Sequence, residues 1–325
     1  MVILKVEDMK KLINTAFLFL LIIGGSACQD ELDNELFQKY SYLNKNGWKE
    51  CEVKIKEDNT GILLLDFGIN GSSENGKNVV ITITNDPDTL EGYNFDRYKF
   101  QYDSYYPELP TSCYTFDQEA YIIPAGQLKT TASIRIDLNQ IQDIYNDYVL
   151  PIKISSSIGE PIGPDKYSKL LANIKFTNKF SGVYSGNGKL TIEETGQNTA
   201  TGSAKLYAIS QNACFMYAGN ATSETDPANY KKYILNVSFS DNEKITITDP
   251  VGKLDLETMK ATIAREYKYH NTDTRYYIET SVLDLKYKYR NQSERDHRML
   301  IFEGKHTLTR NVLRSEYPNV IVKEE

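Results

Sequence analysis

Two stretches of this chain alternate apolar and polar residues one by one, and that period constrains the fold more than any other feature. Ala132, Ile134, Ile136 and Leu138 interleave with Ser133, Arg135, Asp137 and Asn139. Leu283, Leu285, Tyr287 and Tyr289 interleave with Asp284, Lys286, Lys288 and Arg290. Successive side chains of a strand point to opposite faces, so each stretch reads as a strand with one dry and one wet face. Tyr287 and Tyr289 fall on the dry face, in a core or lining a cavity.

The rest of the chain follows suit. In the first half, Val79 to Thr84, Tyr121 to Ile123, Tyr148 to Ile154 and Leu170 to Thr177 read as strands. Pro124 and Gly126 supply a turn, and Asn85-Asp86-Pro87-Asp88 reads as another. Pro151 cannot donate to a ladder, so it marks an edge or a bulge. Gln140 to Asp147 suits one or two helical turns. Near Asn178 to Gly182 the chain restarts. Strands then follow at Leu190–Ile192, Ala204–Ile209, Tyr233–Phe239, Ile245–Thr248, Ala261–Tyr269, Arg275–Tyr289, Met299–Glu303 and His306–Arg310. The expectation is an all-β chain with two domains, 40–178 and 179–325, the second an antiparallel β-barrel or sandwich. No strand–helix alternation points to a nucleotide-binding α/β fold.

The N-terminus carries an address. Lys10 and Lys11 precede an apolar run, Leu12 to Gly24, too short to span a bilayer stably. Gly25-Ser26-Ala27 and then Cys28 follow. This resembles a bacterial lipoprotein signal, with Gly25 where Leu is usual. The resemblance implies a signal peptide over 1–27 and lipidation of Cys28; the competing reading is an uncleaved anchor helix. Glu7 and Asp8 fit a signal's basic start poorly, so Met9 is the better initiator. Gln29, Asp30, Glu31, Leu32 and Asp33 open an acidic tether over 28–39. That run resembles the export signal of Bacteroidota surface lipoproteins, which implies an anchor in the outer membrane facing outward; the plainer reading is a solvated tether.

Removing the signal leaves about 300 residues, enough for two domains. The formal charge of −7 disfavours nucleic acid as a partner. Tyrosine is the outlier, with 24 Tyr beside 12 Phe and 1 Trp; most belong in the core or on strand surfaces of a β protein, while exposed rings suit sugar faces. Cys51, Cys113 and Cys214 match no zinc spacing. Cys51 with Cys113 is the one pair inside a single proposed domain, and free buried thiols are the alternative.

The block from Tyr114 to Phe176 contains Tyr114-Thr115-Phe116, Tyr121-Ile122-Ile123-Pro124-Ala125-Gly126 and Tyr148-Val149-Leu150-Pro151-Ile152. It resembles the N-terminal domain of uncharacterised Bacteroidota lipoproteins from polysaccharide-utilisation systems. Leu206-Tyr207-Ala208-Ile209, Phe215-Met216-Tyr217-Ala218-Gly219 and the strand from Leu283 to Tyr289 resemble the all-β C-terminal domain joined to it. The resemblance implies an immunoglobulin-like sandwich first, and glycan capture beside a SusC/SusD-type importer. It carries over no catalytic residues.

The chemistry agrees with a non-catalytic protein needing no cofactor. Among 44 acidic residues, carboxylate pairs are uninformative, and the second half is too short for a (β/α)₈ barrel. His270, His297 and His306 sit in polar contexts and read as surface residues; no nucleophile elbow or zinc-binding helix accompanies them. Saccharide capture needs an aromatic platform with planar polar groups. Three places offer one. Tyr267 and Tyr269 precede a turn at Asn271 and Asp273, with Arg275, Tyr276 and Tyr277 behind it. Tyr102, Tyr105 and Tyr106 lie in a Pro-bounded loop, and Trp48 follows Asn46-Gly47. Packing is the competing role at each. Asp86, Asp88 and Glu91 have oxygen ligands suited to calcium, but Asp-Pro-Asp is more simply a turn. A structural or adhesin-like subunit that docks another surface protein is the alternative function.

Overall fold

The computed structural model describes residues 38–71, 73–219, 221, 230–240, 244–293 and 296–323. The signal, Cys28 and the tether as far as residue 37 lie outside the described residues. In chain order the strands are β1 (Ser41–Leu43), β2 (Gly47–Lys54), β3 (Thr60–Ile69), β4 (Val79–Asn85), β5 (Tyr114–Phe116), β6 (Tyr121–Ile123), β7 (Lys129–Asp137), β8 (Val149–Ile158) and β9 (Lys169–Thr177). There follow β10 (Gly182–Ile192), β11 (Asn198–Thr201), β12 (Ala204–Ser210), β13 (Ala213–Tyr217), β14 (Ile234–Phe239), β15 (Ile245–Thr248), β16 (Glu257–Tyr269), β17 (Tyr276–Arg290) and β18 (Met299–Leu313). Two helices, α1 (Pro87–Tyr98) and α2 (Asp165–Ser168), interrupt the first series.

The first nine strands make two facing sheets, ordered β1-β3-β7-β5 and β2-β9-β8-β4-β6. Each strand turns alternate residues inward. Leu63, Leu65 and Phe67 of β3 and Ile134 and Ile136 of β7 meet Val53, Ile81 and Ile152 from the opposite sheet, all buried. Each such side chain contributes about 1.5–3 kcal/mol by leaving water. Among the described residues the strand-to-strand pairings here are antiparallel except one: β2 lies parallel to β9, with Cys51 opposite Ile174.

The later strands form an up-and-down barrel. The path β15-β14-β13-β12-β10-β18-β17-β16 is hydrogen-bonded throughout, and β11 folds back on β10. A single bridge, Lys244 to Thr262, links β15 to β16 and nearly closes the ring. An eight-stranded ring is just wide enough for side chains to fill. Tyr184, Leu283, Leu285, Tyr287, Tyr289 and Phe302 fill it, with Tyr287 stacked on Phe302 at 4.9 Å. The dry face read from the sequence is therefore core, not cavity wall.

Four local readings need correction. Asn85 to Asp88 is not a free turn but the entry to α1, with Pro87 in its first turn, where a missing N–H costs nothing. This helix buries only Leu90 and Asn94, so it has no apolar stripe to betray it. It docks through Leu90, packed with Val149 and Leu171, and through an amide: Asn94 donates to the Tyr106 carbonyl at 2.9 Å and accepts from the Tyr106 N–H at 3.0 Å. Between Gln140 and Asp147 the only helical turn is the end of a 3-10 turn, Leu138–Gln140. Pro151 lies in β8, an inner strand. It sits one residue beyond the last pair with β4, Asn85 to Ile152, so its missing donor is not called upon there. Finally, the two strands expected at 299–303 and 306–310 are one, β18. Gly304 is not a break: a Cβ there would meet His306 Cε1 at 2.5 Å and Gly188 Cα at 3.2 Å, so the glycine permits close strand packing.

Candidate functional site

With the barrel interior filled, the open space lies outside it. A groove of about 770 Å³ runs where the barrel meets the sandwich, within the size range of small-ligand sites. One wall is the outer face of β2 and β9. Cys51 and Val53 are committed to the sandwich core, so Glu50, Glu52 and Lys54 face outward. The other wall is the outer face of β12 and β13. Cys214 and Met216 enter the barrel core, leaving Phe215 and Tyr217 on the opposite side. The last residues of β18 and the following turn close one end.

The second wall is aromatic. Tyr207 stacks on Phe215 at 4.8 Å and 14°, Tyr217 meets Phe215 edge-on at 5.7 Å, and Tyr230 meets Tyr217 at 5.3 Å. The sandwich adds Tyr145, edge-on to Phe215 at 5.2 Å. Burial, helped by the Asp147 carboxylate, pushes the Tyr207 phenol up to about 12. Burial likewise raises Tyr217 and Tyr230. These hydroxyls therefore stay protonated near neutrality, able both to donate and to accept.

Polar links cross between the modules. The Tyr145 hydroxyl bonds the Asn236 amide at 3.1 Å, Lys54 pairs with Glu316 at 2.5 Å, and Lys231 donates to Asn146 at 2.5 Å. Lys175 pairs with Asp147 at 2.5 Å within the first wall's own module. Arg310, which also lines the groove, pairs with Glu279, which is fully buried, at 2.8 Å. Tyr267 and Ser281 also donate to Glu279, at 3.2 and 3.3 Å.

Asn178 fixes the angle between the walls. Its amide nitrogen donates to the carbonyls of Ser210 at 2.7 Å and Ala213 at 3.0 Å, and its oxygen accepts from the N–H groups of Phe180 and Ser181, both at 2.8 Å. The connection between the two cores is thereby tied to the β12–β13 turn.

The residues singled out from sequence divide. Tyr276 lines this groove. Tyr267 and Tyr277 do not offer rings to solvent: both are buried against Val312, beneath Tyr317, Val320 and Val322. Chain alternation sends Tyr276 out and Tyr277 in. Tyr269 is half exposed, with the Arg314 guanidinium over its ring at 5.2 Å. At the hairpin tip Asn271 is exposed, and Asp273 and Arg275 spend their polar groups on each other at 2.7 Å, which holds the Asp273 carboxyl at about 2. Tyr102, Tyr105 and Tyr106 form a separate chain of rings. Trp48 stacks on Tyr93 at 4.6 Å and meets Tyr106 at 4.7 Å; Tyr106, Tyr98, Tyr105 and Tyr102 follow in contact, and Tyr102 is 64% exposed.

Other candidates resolve as structure. His306 is not a surface residue but fully buried, its Nε2 within 3.0 Å of the Gly202 carbonyl oxygen; His297 is exposed, and the His270 ring nitrogen accepts from the Asp273 N–H at 3.0 Å. Asp86 is buried and answered by Lys153 at 2.8 Å and Lys169 at 3.7 Å. Cys51, Cys113 and Cys214 are free and buried. The groove rings Tyr145, Tyr207, Tyr217 and Tyr230 were not predicted as site residues. The available signal was β13, apolar at successive positions from Ala213 to Tyr217. A strand apolar on both faces must be covered on both.

These features define a two-module all-β protein with its groove between modules. Family models described as an N-terminal domain and as C-terminal match residues 32–161 and 168–306, respectively. No curated protein matches the chain. Solved structures share the fold. One is a Bacteroides ovatus protein of unknown function, 22% identical with TM-score 0.73, covering 86% of this chain and 97% of its own. A multidomain protein from the same species is 22% identical with TM-score 0.72, covering 85% and 96%. An auxiliary nutrient binding protein from Bacteroides thetaiotaomicron is 20% identical with TM-score 0.68, covering 83% and 92%.

Proposed function

We propose that this chain is a non-catalytic surface lipoprotein that captures saccharides in the groove between its modules. Cys28 carries the lipid, 28–39 is the tether, an immunoglobulin-like module over 40–178 sets the height, and the barrel module over 179–325 supplies the aromatic wall. The observation that carries the reading is the groove's pairing of clustered rings with neutral hydroxyls and amides, the combination that sugar faces and hydroxyls require. The description of one structural relative as a nutrient binding protein supports it. In this reading the protein works beside a SusC/SusD-type importer in the outer membrane.

Tyr276 belongs to this site, and Asn271, Asp273, Arg275 and Tyr269 belong to the hairpin that carries it. The chain of rings ending at Tyr105 and Tyr102 offers a further contact along a long glycan. A glycan array on the mature two-module chain tests the reading, followed by Tyr207→Ala/Tyr217→Ala. Stacked rings contribute about 0.5–1.5 kcal/mol each, so the pair is expected to weaken retention roughly tenfold. Unchanged retention would place the ligand elsewhere.

One observation favours a second reading, an accessory subunit that docks another surface protein. Phe100 and Tyr102 are 77% and 64% exposed near the end of α1. Recovery of an importer with the chain from outer membranes, without any glycan bound, would select it.

A further inference from the structure

The ionic groups of the groove choose among saccharides. Five cationic side chains line it, and each is already engaged. Lys54 holds Glu316 at 2.5 Å, Lys175 holds Asp147 at 2.5 Å, and Arg310 holds the buried Glu279 at 2.8 Å. Lys205 and Lys179 lie over the rings of Tyr207 at 4.7 Å and Phe180 at 5.0 Å. The carboxylates differ. Glu50 and Glu52 project from the same face of β2 into the groove, exposed, and neither side chain makes an ion pair or hydrogen bond among the described residues.

An anionic sugar entering here would have to draw a cation away from a carboxylate or from an aromatic ring, and would face two unpaired carboxylates while doing so. Like charges brought together at an interface cost several kcal/mol. The formal charge of −7 adds a long-range field of the same sign. The aromatic wall asks for nothing charged: its phenols, Tyr207 among them, are neutral. We infer that the groove takes neutral oligosaccharides and excludes those bearing uronate or sulfate. This rests on the groove being the saccharide site.

The test uses the mature two-module chain on an array holding neutral, uronate-bearing and sulfated glycans, with calorimetry on the hits. The expected result is that the hits are neutral, that acidic counterparts of the same backbone bind at least about tenfold more weakly, and that affinity for neutral hits changes less than about twofold between low and high salt. Glu50→Gln/Glu52→Gln is expected to raise retention of the acidic counterparts. Hits confined to acidic glycans, lost with Tyr207→Ala/Tyr217→Ala, would overturn the inference while leaving the groove as the site. Hits that survive the tyrosine substitutions, or no hits at all, would overturn the groove reading and the inference with it.

Discussion

Tyr145, from the sandwich, and Phe215, from the barrel, meet edge to face at 5.2 Å across the boundary between modules. The same tyrosine bonds Asn236 on the neighbouring strand β14. One side chain therefore contributes both an aromatic pair and a hydrogen bond to the contact. Tyr145→Ala is expected to remove about 1–3 kcal/mol of that contact. Both cores should remain intact. Small-angle scattering should show a wider spread of shapes, with circular dichroism unchanged.

Tyr276 and Tyr277 are adjacent and should behave oppositely. Tyr277 is buried with Tyr267 and Val312, so Tyr277→Ala is expected to cost about 3–5 kcal/mol, as for other large aromatic truncations. Tyr276 faces the groove, and Tyr276→Ala is expected to leave stability within about 1 kcal/mol. Urea denaturation of the two variants gives the comparison.

Gly219 adopts φ +64°, and a Cβ there would lie 2.2 Å from the Tyr289 hydroxyl. Its N–H donates to the Tyr287 hydroxyl at 3.0 Å. Gly219→Ala combines a left-handed backbone cost with overpacking, together about 2–4 kcal/mol. A melting temperature lowered by several degrees checks it; an unchanged one would show that Tyr289 can move aside.

Asp86 gives the sandwich an acid limit. Burial alone would raise its carboxyl, but hydrogen bonds from Lys153 and Thr89 outweigh that and hold it below the usual range. A carboxyl lowered in the folded state stabilises above its unfolded value, near about 3.9, and that stabilisation fades as pH falls through the folded value. Asp86→Asn should therefore be destabilised at pH 7 by about 1–3 kcal/mol, with the gap to the unsubstituted protein shrinking at pH 3. Paired chemical denaturation at the two pH values measures the gap.

Phenol titration gives the opposite limit. Burial raises the hydroxyls of Tyr207, Tyr184 and Tyr287 above the ordinary value of 10.0. Groups raised in the folded state lend stability that is complete below about pH 10 and lost as pH rises through the folded values. Ultraviolet absorbance should show these phenols ionising only with alkaline unfolding; early, reversible ionisation of all 24 tyrosines would contradict their burial.

Much of the barrel was legible because period two survives wherever one face is dry and the other wet. From Leu283 to Tyr289 every inward residue is buried and every partner outward. Legibility failed where another force set the structure. Helix α1 is held by one buried apolar side chain, Leu90, and by Asn94, too few to give an apolar period to read. The sequence reads two strands, Met299–Glu303 and His306–Arg310, where β18 runs through, because Gly304 permits close strand packing. The groove was hidden for a different reason. Tyr145, Tyr207 and Tyr230 are far apart in the chain, and only the meeting of two modules gathers them. The hairpin at Asn271 drew attention because its aromatics are neighbours in sequence, yet strand alternation puts Tyr267, Tyr269 and Tyr277 on one face, where Tyr267 and Tyr277 are buried, and leaves Tyr276 alone on the other.

The parallel match of β2 with β9 sets an order of events for the nascent polypeptide. β2 begins at Gly47, and its neighbour begins only at Lys169. No short hairpin can bring them together; everything between must first be threaded out and shaped. The flank of the sandwich that bears Glu50 and Glu52 is thus finished late, after its inner strands have a surface to offer. A protein crossing a membrane front end first would carry this edge unzipped for most of the journey.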